Sequence, residues 1–175
     1  CIRDSAITIL LMIRSDTNFR PIFNWLLGSF ASAQWSHSLI VLAYSLPGTM
    51  IVLAYSRVLN VLQLDEEHEY QLGVNVELAK VLLIATAALI TASAVSFCGL
   101  IGFVGLIAPH TVRLMWGVDH RLLVPLAALY GAIFMIFSDL IARTMVSPAE
   151  LPVGVVTAFF GAPFFLYLLR KRGAN

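Results

Sequence analysis

Residues 81–109, VLLIATAALITASAVSFCGLIGFVGLIAP, are the stretch that decides the fold. These 29 consecutive positions contain no Asp, Glu, Lys or Arg. A transmembrane helix needs about 20 mainly apolar residues, so the run is too long for one upright span and too short for two. Its second half holds residues that interrupt helices, namely Gly99, Gly102, Gly105 and Pro109. We therefore predict a helix that breaks near Cys98–Gly99, followed by a shorter, irregular return segment that ends around Trp116.

The interrupted stretch also carries a prediction about its surroundings. Irregular backbone at membrane depth survives only where protein or a water-filled cavity covers its polar groups. We therefore expect the broken helix to face the helix bundle or a pathway through it, rather than lipid.

The composition of the whole chain places it in a membrane. Of its 175 residues, 59% are hydrophobic and 12% are charged, against about 45–50% and roughly 25% in soluble domains. This excludes a soluble enzyme, and a net charge of +1 excludes the basic surface that nucleic-acid binding needs. Three further runs lack charged residues: 38–56, 122–138 and 151–169. We predict an all-α polytopic transmembrane bundle of about five spans, with short interfacial and coupling helices, forming one domain over residues 1–175.

The N-terminal part of the chain is less apolar. Residues 7–13 are too short to span a membrane alone, and we interpret them as the end of a helix. Residues 18–34 include Trp25 and precede Trp35, and tryptophan is enriched at membrane interfaces. This pattern predicts a short helix near the membrane surface. The opening Cys1-Ile2-Arg3-Asp4 is not the start of a signal peptide, and we expect the chain to be a piece of something longer.

Basic residues predict how the spans are oriented. With a break near Gly99, one side of the membrane collects Arg57, Lys80, Arg113, Arg121, Arg170, Lys171 and Arg172, and the other collects Arg14, Arg20 and Arg143. Basic residues are enriched on the cytoplasmic side. The first group, and with it the C-terminus, is therefore predicted to be cytoplasmic. Without the break, Arg113, Arg121 and the C-terminal cluster would lie opposite Arg57 and Lys80.

Residues 57–80 form the most polar part of the chain. The acids at positions 65, 66, 67 and 69, followed by Leu72-Gly73, predict a short helix that begins with negative charge and ends at glycine. Two interpretations remain open, a solvated loop helix or a docking surface for a cytoplasmic partner. A metal or catalytic site is disfavoured because His68 has no second ligand at helical spacing.

Asp139 and Arg143 lie four residues apart near the outer end of a predicted span. This spacing puts them on one helix face with the acid first, the better order for an ion pair. One interpretation is a local pair that helps both charges lie at the membrane boundary. The other is functional, since an intramembrane ionisable group is a candidate site and Arg143 could receive a carboxylate from an external protein.

Small residues and missing motifs complete the sequence evidence. Two stripes of small residues, Gly154/Ala158/Gly161/Ala162 and Ala85/Ala88/Ala92, favour close helix packing and a homo-oligomer.

The chain contains no G-x-x-x-x-G-K-[ST] phosphate loop and no H-E-x-x-H or G-x-S-x-G motif. A transport subunit driven by another protein, a membrane scaffold or assembly subunit, and a membrane enzyme are the competing function classes.

Several motifs together carry a family resemblance. They are GFVGLIAPHTVRL at 102–114, Asp119-His120-Arg121, DLIAR at 139–143, ELPVGVVT at 150–157, GAPFF at 161–165 and QLGVN at 71–75. Their order and spacing strongly resemble the permease subunits of bacterial ABC importers for iron-siderophores, haem and vitamin B12. The resemblance extends from about Trp25 to Arg172.

The resemblance implies a ten-helix permease, of which this chain would be the C-terminal half. It implies a permease homodimer in the bacterial inner membrane, with cytoplasmic ATPase subunits and a periplasmic binding protein as partners. No cofactor, metal site or catalytic residue is expected. The implied mechanism is alternating access driven by ATP binding to the ATPases. The residues leave the cargo open among siderophore, haem, cobalamin and an oxyanion such as molybdate.

The resemblance also implies roles for individual residues. The ATPase-coupling residues would be Asp65, Glu66, Glu67, Tyr70, Gln71, Leu72, Gly73, Val74 and Asn75, within a cytoplasmic segment 57–80. Arg143 would pair with a glutamate of the binding protein. Residues 25–33 would form a short helix beside the periplasmic mouth of the pathway, and Gly99, Gly102, Gly105 and Pro109 would form the broken helix of that pathway.

Overall fold

A computed structural model describes residues 19–61, 76–145 and 151–172. Within these ranges the chain forms seven α-helices and no strand: α1 (Phe19–Leu27), α2 (Trp35–Ala54), α3 (Ser56–Val61), α4 (Val76–Cys98), α5 (Val104–Trp116), α6 (His120–Thr144) and α7 (Val153–Arg172). The predicted all-α bundle is confirmed. Residues 7–13, predicted to end a helix, lie outside the described residues.

Four of these helices are long and apolar enough to cross a membrane. Their spanning segments are Trp35–Ala54, Glu77–Cys98, His120–Thr144 and Val153–Arg170. They correspond to the four charge-free runs and confirm four of the roughly five predicted spans within the described residues. Helix α5 is different, because its 13 residues rise only about 20 Å against a hydrocarbon core about 30 Å thick.

The long run 81–109 breaks where its glycines predicted. Helix α4 ends at Cys98, and Gly99 follows with φ of +72°, a left-handed conformation that glycine adopts without steric cost. The expectation of an irregular segment as far as Trp116 is wrong. Non-helical backbone occupies only residues 99–103, and the return from Val104 is a regular helix that contains Pro109.

The left-handed residue before α5 is Phe103, with φ of +67°, rather than a glycine. Its ring packs directly on Gly161 of α7, where a Cβ would overlap the ring carbons. Packing against α7 therefore holds a backbone conformation that a bulky residue seldom adopts. A Cβ added at Gly102 or Gly105 would have no heavy atom within 4 Å in the described part of the chain. Steric contacts there do not require glycine at either position.

The break makes α4 and α5 run in opposite directions, and two sets of contacts define the ends of the bundle. At the junction end, Ser29 donates its backbone N–H to Cys98 (2.9 Å) and Gly154 donates to Gly28 (3.1 Å). At the other end, called the clasp end, the backbone N–H of His120 at the start of α6 donates to Oδ1 of Asn60 in the last turn of α3. These contacts bring together the helix termini that the sequence assigned to each side.

The contacts also decide the charge grouping. Because Asn60 contacts His120, Arg57 of α3 shares an end with Arg113 and Arg121, which flank the α5–α6 turn. Arg143 belongs to the junction end, since Leu151 beside the start of α7 donates its N–H to Ala142 (3.4 Å). The separation of basic residues that required a broken helix is therefore confirmed for these four arginines.

The helices pack as α5 against α6 and α2 against α4, with α7 contacting α6 and α5. A small core lies where α6 meets α7, formed by Ala142, Val153 and Val156. Thr157 is fully buried beside it and donates its hydroxyl to the Gly154 carbonyl at 3.1 Å. Most other large apolar side chains face outward, as expected of helices surrounded by lipid or by other membrane segments.

The two small-residue stripes have different outcomes. Gly154 and Gly161 lie in close contact with α1 and with Phe103, and a Cβ at either position would overlap a neighbour. They permit the close helix packing that the stripe predicted. Ala85, Ala88 and Ala92 are exposed on α4, and the described residues do not cover that stripe.

We expect Gly99→Ala to destabilise the bundle by about 1–3 kcal/mol, the usual cost of overpacking. A Cβ at position 99 would overlap the Trp25 carbonyl, and the positive φ adds backbone strain. Thermal unfolding in detergent measures the change. Gly102→Ala is the matched control, since its Cβ would meet no neighbour, and a loss equal to that of Gly99→Ala would contradict the steric account.

Candidate functional site

The predicted ATPase-coupling residues, Asp65 to Asn75, lie outside the described residues. The structure describes the two flanks of this segment instead. Helix α3 leads into it and ends at Val61, and α4 begins after it at Val76, with Glu77 in its first turn. Helix α3 makes a set of polar contacts with the start of α6.

Asn60, in the last turn of α3, binds the start of α6 through three hydrogen bonds. Its Nδ2 donates to Asp119 Oδ1 at 2.7 Å. Its Oδ1 accepts from the backbone N–H of His120 at 2.8 Å and lies 2.7 Å from Nδ1 of the same histidine. We call Asn60, Asp119 and His120 the Asn60 clasp.

The bonding pattern assigns the hydrogens in the clasp. Asp119 as a carboxylate only accepts, so the amide nitrogen of Asn60 must face it. The amide oxygen then faces His120, where it accepts from the backbone N–H and needs a second donor at Nδ1. The imidazole of His120 therefore carries its hydrogen on Nδ1, and one amide side chain links both residues.

Asp119 also caps α6. Its side chain accepts from the backbone N–H of Arg121 at 3.0 Å, which satisfies one of the unpaired amides in the first helical turn. The Asn60 side-chain hydrogen bond, and then the Arg121 amide, hold the pKa of Asp119 below its ordinary value of 3.8. The carboxyl is thus charged at neutral pH, and its bond to Asn60 is charge-assisted.

At the junction end, Arg143 pairs with Asp139. The Nε–H of Arg143 donates to Asp139 Oδ2 at 2.8 Å, so the predicted i,i+4 pair is confirmed. The side chain of Arg143 remains 49% exposed and that of Asp139 28% exposed. Asp139 therefore orients the arginine while leaving half of its surface accessible.

The predicted broken-helix residues share one region but not one role. Gly99 lies at the junction end, where its backbone passes directly under Trp25 of α1. Pro109 lies inside α5, between Ala108, which is buried, and His110, whose ring meets Phe164 edge to face at 6.2 Å. Gly99 is thus covered by α1, whereas Leu100, Gly102, Phe103 and Gly105 are exposed in the described part of the chain.

The short helix predicted within residues 18–34 is confirmed as α1, which also forms part of the junction. Its expected extent, residues 25–33, is wrong, because α1 ends at Leu27 and residues 28–34 are not helical. Gly28, with φ of +74°, turns the chain so that residues 28 and 29 bond to α7 and α4. The indole N–H of Trp25 donates to the Ser96 carbonyl at 3.5 Å.

The Asn60 clasp is the feature that sequence reasoning missed. From the sequence, Arg121 is grouped with the basic residues of one membrane side, and Asn60 lies within the polar segment 57–80. The available signal was Asp119, an N-cap residue directly before an apolar run. Its partner lies 59 residues away, and sequence spacing does not reveal such a pairing.

Metal ligands do not gather in the part of the chain that the structure describes. Over residues 19–61, 76–145 and 151–172, no group of three His, Cys, Asp or Glu side chains is close enough to hold a metal ion. His37 instead stacks on Phe97, with ring centroids 4.5 Å apart.

We expect Asn60→Ala to raise the pKa of Asp119 towards its ordinary value, because the side-chain hydrogen bond that favours the carboxylate is lost. A group with a lowered pKa stabilises the fold above its unfolded pKa, and this contribution is lost as pH falls through the folded value. In the unsubstituted protein, the hydrogen bonds of the Asn60 clasp should therefore weaken only below about pH 4. Carbon-13 NMR of labelled aspartate measures the titration. Asn24→Ala, the same change in α1, is the control, and an unchanged Asp119 pKa in Asn60→Ala would contradict the assignment.

Comparisons with known proteins give a family match and several relatives. The model of the FecCD transport family matches residues 3–171. The chain is 47% identical over 167 residues to the cobalamin import system permease protein BtuC of Halobacterium salinarum, covering 95% of this chain and 45% of that protein. It is 42% identical over 168 residues to the hemin transport system permease protein HmuU of Yersinia pestis, covering 96% and 50%.

The fold is shared as well. A solved structure, described as an inward-facing conformation of a metal-chelate type ABC transporter, superposes with a TM-score of 0.82 at 37% identity, covering 95% of this chain and 55% of the other. The chain spans about half the length of the curated relatives it matches. The family match covers nearly the whole chain, and the chain belongs to the FecCD transport family.

Proposed function

We propose that this chain forms part of the permease subunit of an ATP-driven importer. In this subunit its helices line the membrane pathway for a metal chelate and change their arrangement during transport. The observation that carries the proposal is the family match over residues 3–171. The identity to import permeases and the shared fold support it. A membrane scaffold is the alternative, and nothing in the described residues favours it specifically.

The cargo in this proposal is an iron-siderophore, haem, cobalamin or related chelate. Relatives named for cobalamin and for hemin import are similarly close to this chain, at 47% and 42% identity, so the comparison selects the class and not the member. Uptake of radiolabelled cobalamin, haem and ferric siderophore by the assembled complex would assign the cargo.

The energy for transport comes from separate ATPase subunits in this proposal. Residues 65–75 dock on the ATPase at the clasp end of the bundle, which faces the cytoplasm of the cell. The basic residues Arg57, Arg113 and Arg121 at this end support that orientation. The junction end, with Arg143, then faces outward towards a periplasmic binding protein, in a bacterial inner membrane.

Transport proceeds by alternating access in a dimer of permeases. ATP binding draws the ATPases together and pushes on the coupling segments, which favours one arrangement of helices over the other. Helix α5 is suited to movement because it is short and joins α4 through non-helical backbone at residues 99–103. The exposed Ala85, Ala88 and Ala92 on α4 are suited to close packing against another helix.

We expect bulky residues in place of Gln71, Leu72 and Gly73, with Gly73→Trp as the simplest case, to impair assembly with the ATPase. A side chain forced into a packed interface costs about 1–3 kcal/mol, or roughly 5-fold to 150-fold in Kd. Co-purification and titration of the ATPase measure the loss. Leu39→Trp, an exposed position near the start of α2, is the control. Undiminished assembly and transport in Gly73→Trp would refute the coupling assignment.

We expect Arg143→Glu to weaken docking of the binding protein by about fivefold, since an exposed ion pair contributes about 1 kcal/mol or less. The loss should shrink at high salt. Surface plasmon resonance with the permease in nanodiscs measures the Kd. Arg143→Lys keeps the charge and should bind nearly normally, and Arg57→Glu at the clasp end should have no effect. Equal loss in both glutamate variants would argue against a docking role for Arg143.

A further inference from the structure

The Asn60 clasp joins two parts of the chain that the backbone alone would leave independent. Helix α3 continues from α2 through a single turn at Tyr55, where the Tyr55 N–H donates to Ile51 and the Leu59 N–H donates to Tyr55, both at 3.0 Å. Any force on α3 would therefore pass into α2 through the backbone. Only tertiary contacts can pass it into α5 and α6.

The strongest polar contacts between α3 and α6 are those of Asn60. One amide side chain makes bonds of 2.7, 2.8 and 2.7 Å to two consecutive residues at the start of α6. Asp119 Oδ1 accepts from Asn60 and from the Arg121 amide together. The last turn of α3 is thus attached to the same oxygen that caps α6, and a shift of α3 must either carry the α6 terminus with it or break these bonds.

Helices α5 and α6 form the most extensively packed pair of the described bundle. Val112 of α5 is 1% exposed and Leu123 of α6 is 6% exposed. Cores packed in this way behave as rigid bodies rather than deform continuously. A displacement delivered to the start of α6 therefore moves α5 as well, and the other end of α5 is the broken segment 99–103.

We propose that Asn60 is a positioning residue for ATP-driven transport, whose bonds to Asp119 and His120 make α3 move as one body with the α5–α6 pair. The proposal rests on the proposed function, in which the segment following α3 receives the push of the ATPase. Asn60 acts through its hydrogen bonds to Asp119 and His120. It determines how much of the movement at the clasp end reaches the broken helix.

The test measures cargo transported per ATP hydrolysed by the complete complex in proteoliposomes, with cobalamin and haem as separate probes. In Asn60→Ala we expect complex assembly and ATP hydrolysis to persist while cargo per ATP falls roughly fivefold or more, the lower range for coupling between sites. Asp119→Ala should behave alike, and the double variant should be no worse than either single variant.

Asp119→Asn is the rescue variant. Asparagine retains an acceptor oxygen for Asn60 Nδ2 and is a good N-cap, so it should keep cargo per ATP near the wild-type value. Asn24→Ala, the same chemical change in α1, should also leave the ratio unchanged. Spin labels at Arg57→Cys and Leu114→Cys, both exposed positions, report the distribution of distances between α3 and α5. On ATP binding, this distribution should become broader only when Asn60 is replaced.

Several outcomes would overturn the proposal. A cargo-to-ATP ratio in Asn60→Ala within twofold of wild type would do so. A parallel fall of assembly, hydrolysis and transport in Asn60→Ala would reduce Asn60 to a structural role. A loss of cargo per ATP in Asp119→Asn as large as in Asn60→Ala would show that the charge of Asp119, and not its hydrogen bond to Asn60, matters. A wild-type complex that neither binds an ATPase nor moves either probe would instead contradict the proposed function itself.

Discussion

Backbone hydrogen bonding at the end of α4 is the constraint on which the rest of the bundle depends. A helix that stops in apolar surroundings leaves carbonyls and amides that must find partners within the protein. Here Ser29 donates to Cys98, and Gly154 donates to Gly28. One short non-helical segment after α1 therefore serves both the last turn of α4 and the first turn of α7. Without it, the chain could not reverse at Gly99 and α5 could not return into the bundle.

The glycines at this junction explain why the contact is so close. A Cβ at Gly99 would overlap the Trp25 carbonyl, and one at Gly154 would overlap the Leu27 carbonyl. Backbone meets backbone at both places, and no side-chain rearrangement can relieve such an overlap. The clasp end uses different chemistry, since polar side chains rather than glycines join α3 to α6. The bundle is thus fastened by main-chain contacts at one end and by a charge-assisted amide link at the other.

This difference between the ends suits the proposed transport cycle. Main-chain contacts at the junction end hold the last turn of α4 and the first turn of α7, whereas the Asn60 clasp joins α3, which precedes the proposed coupling segment, to the opposite end of the α5–α6 pair. Movement entering at the clasp end can therefore be expressed at residues 99–103, the non-helical segment between α4 and α5. Arg143, oriented by Asp139, lies at the junction end, opposite the Asn60 clasp.

Hydropathy and charge along the sequence determined the four spans, the break at Cys98–Gly99 and the grouping of the basic residues, because lipid imposes length and charge rules that act locally. The Asp139–Arg143 pair was also predictable, since helical spacing sets it. Only the tertiary structure decided that Phe103 rather than Gly102 takes the left-handed conformation, that α1 ends at Leu27, and that Asn60 bonds to Asp119 and His120. These features depend on partners some 60 residues or more distant in sequence, and local pattern holds no information about which distant groups a packed fold brings together.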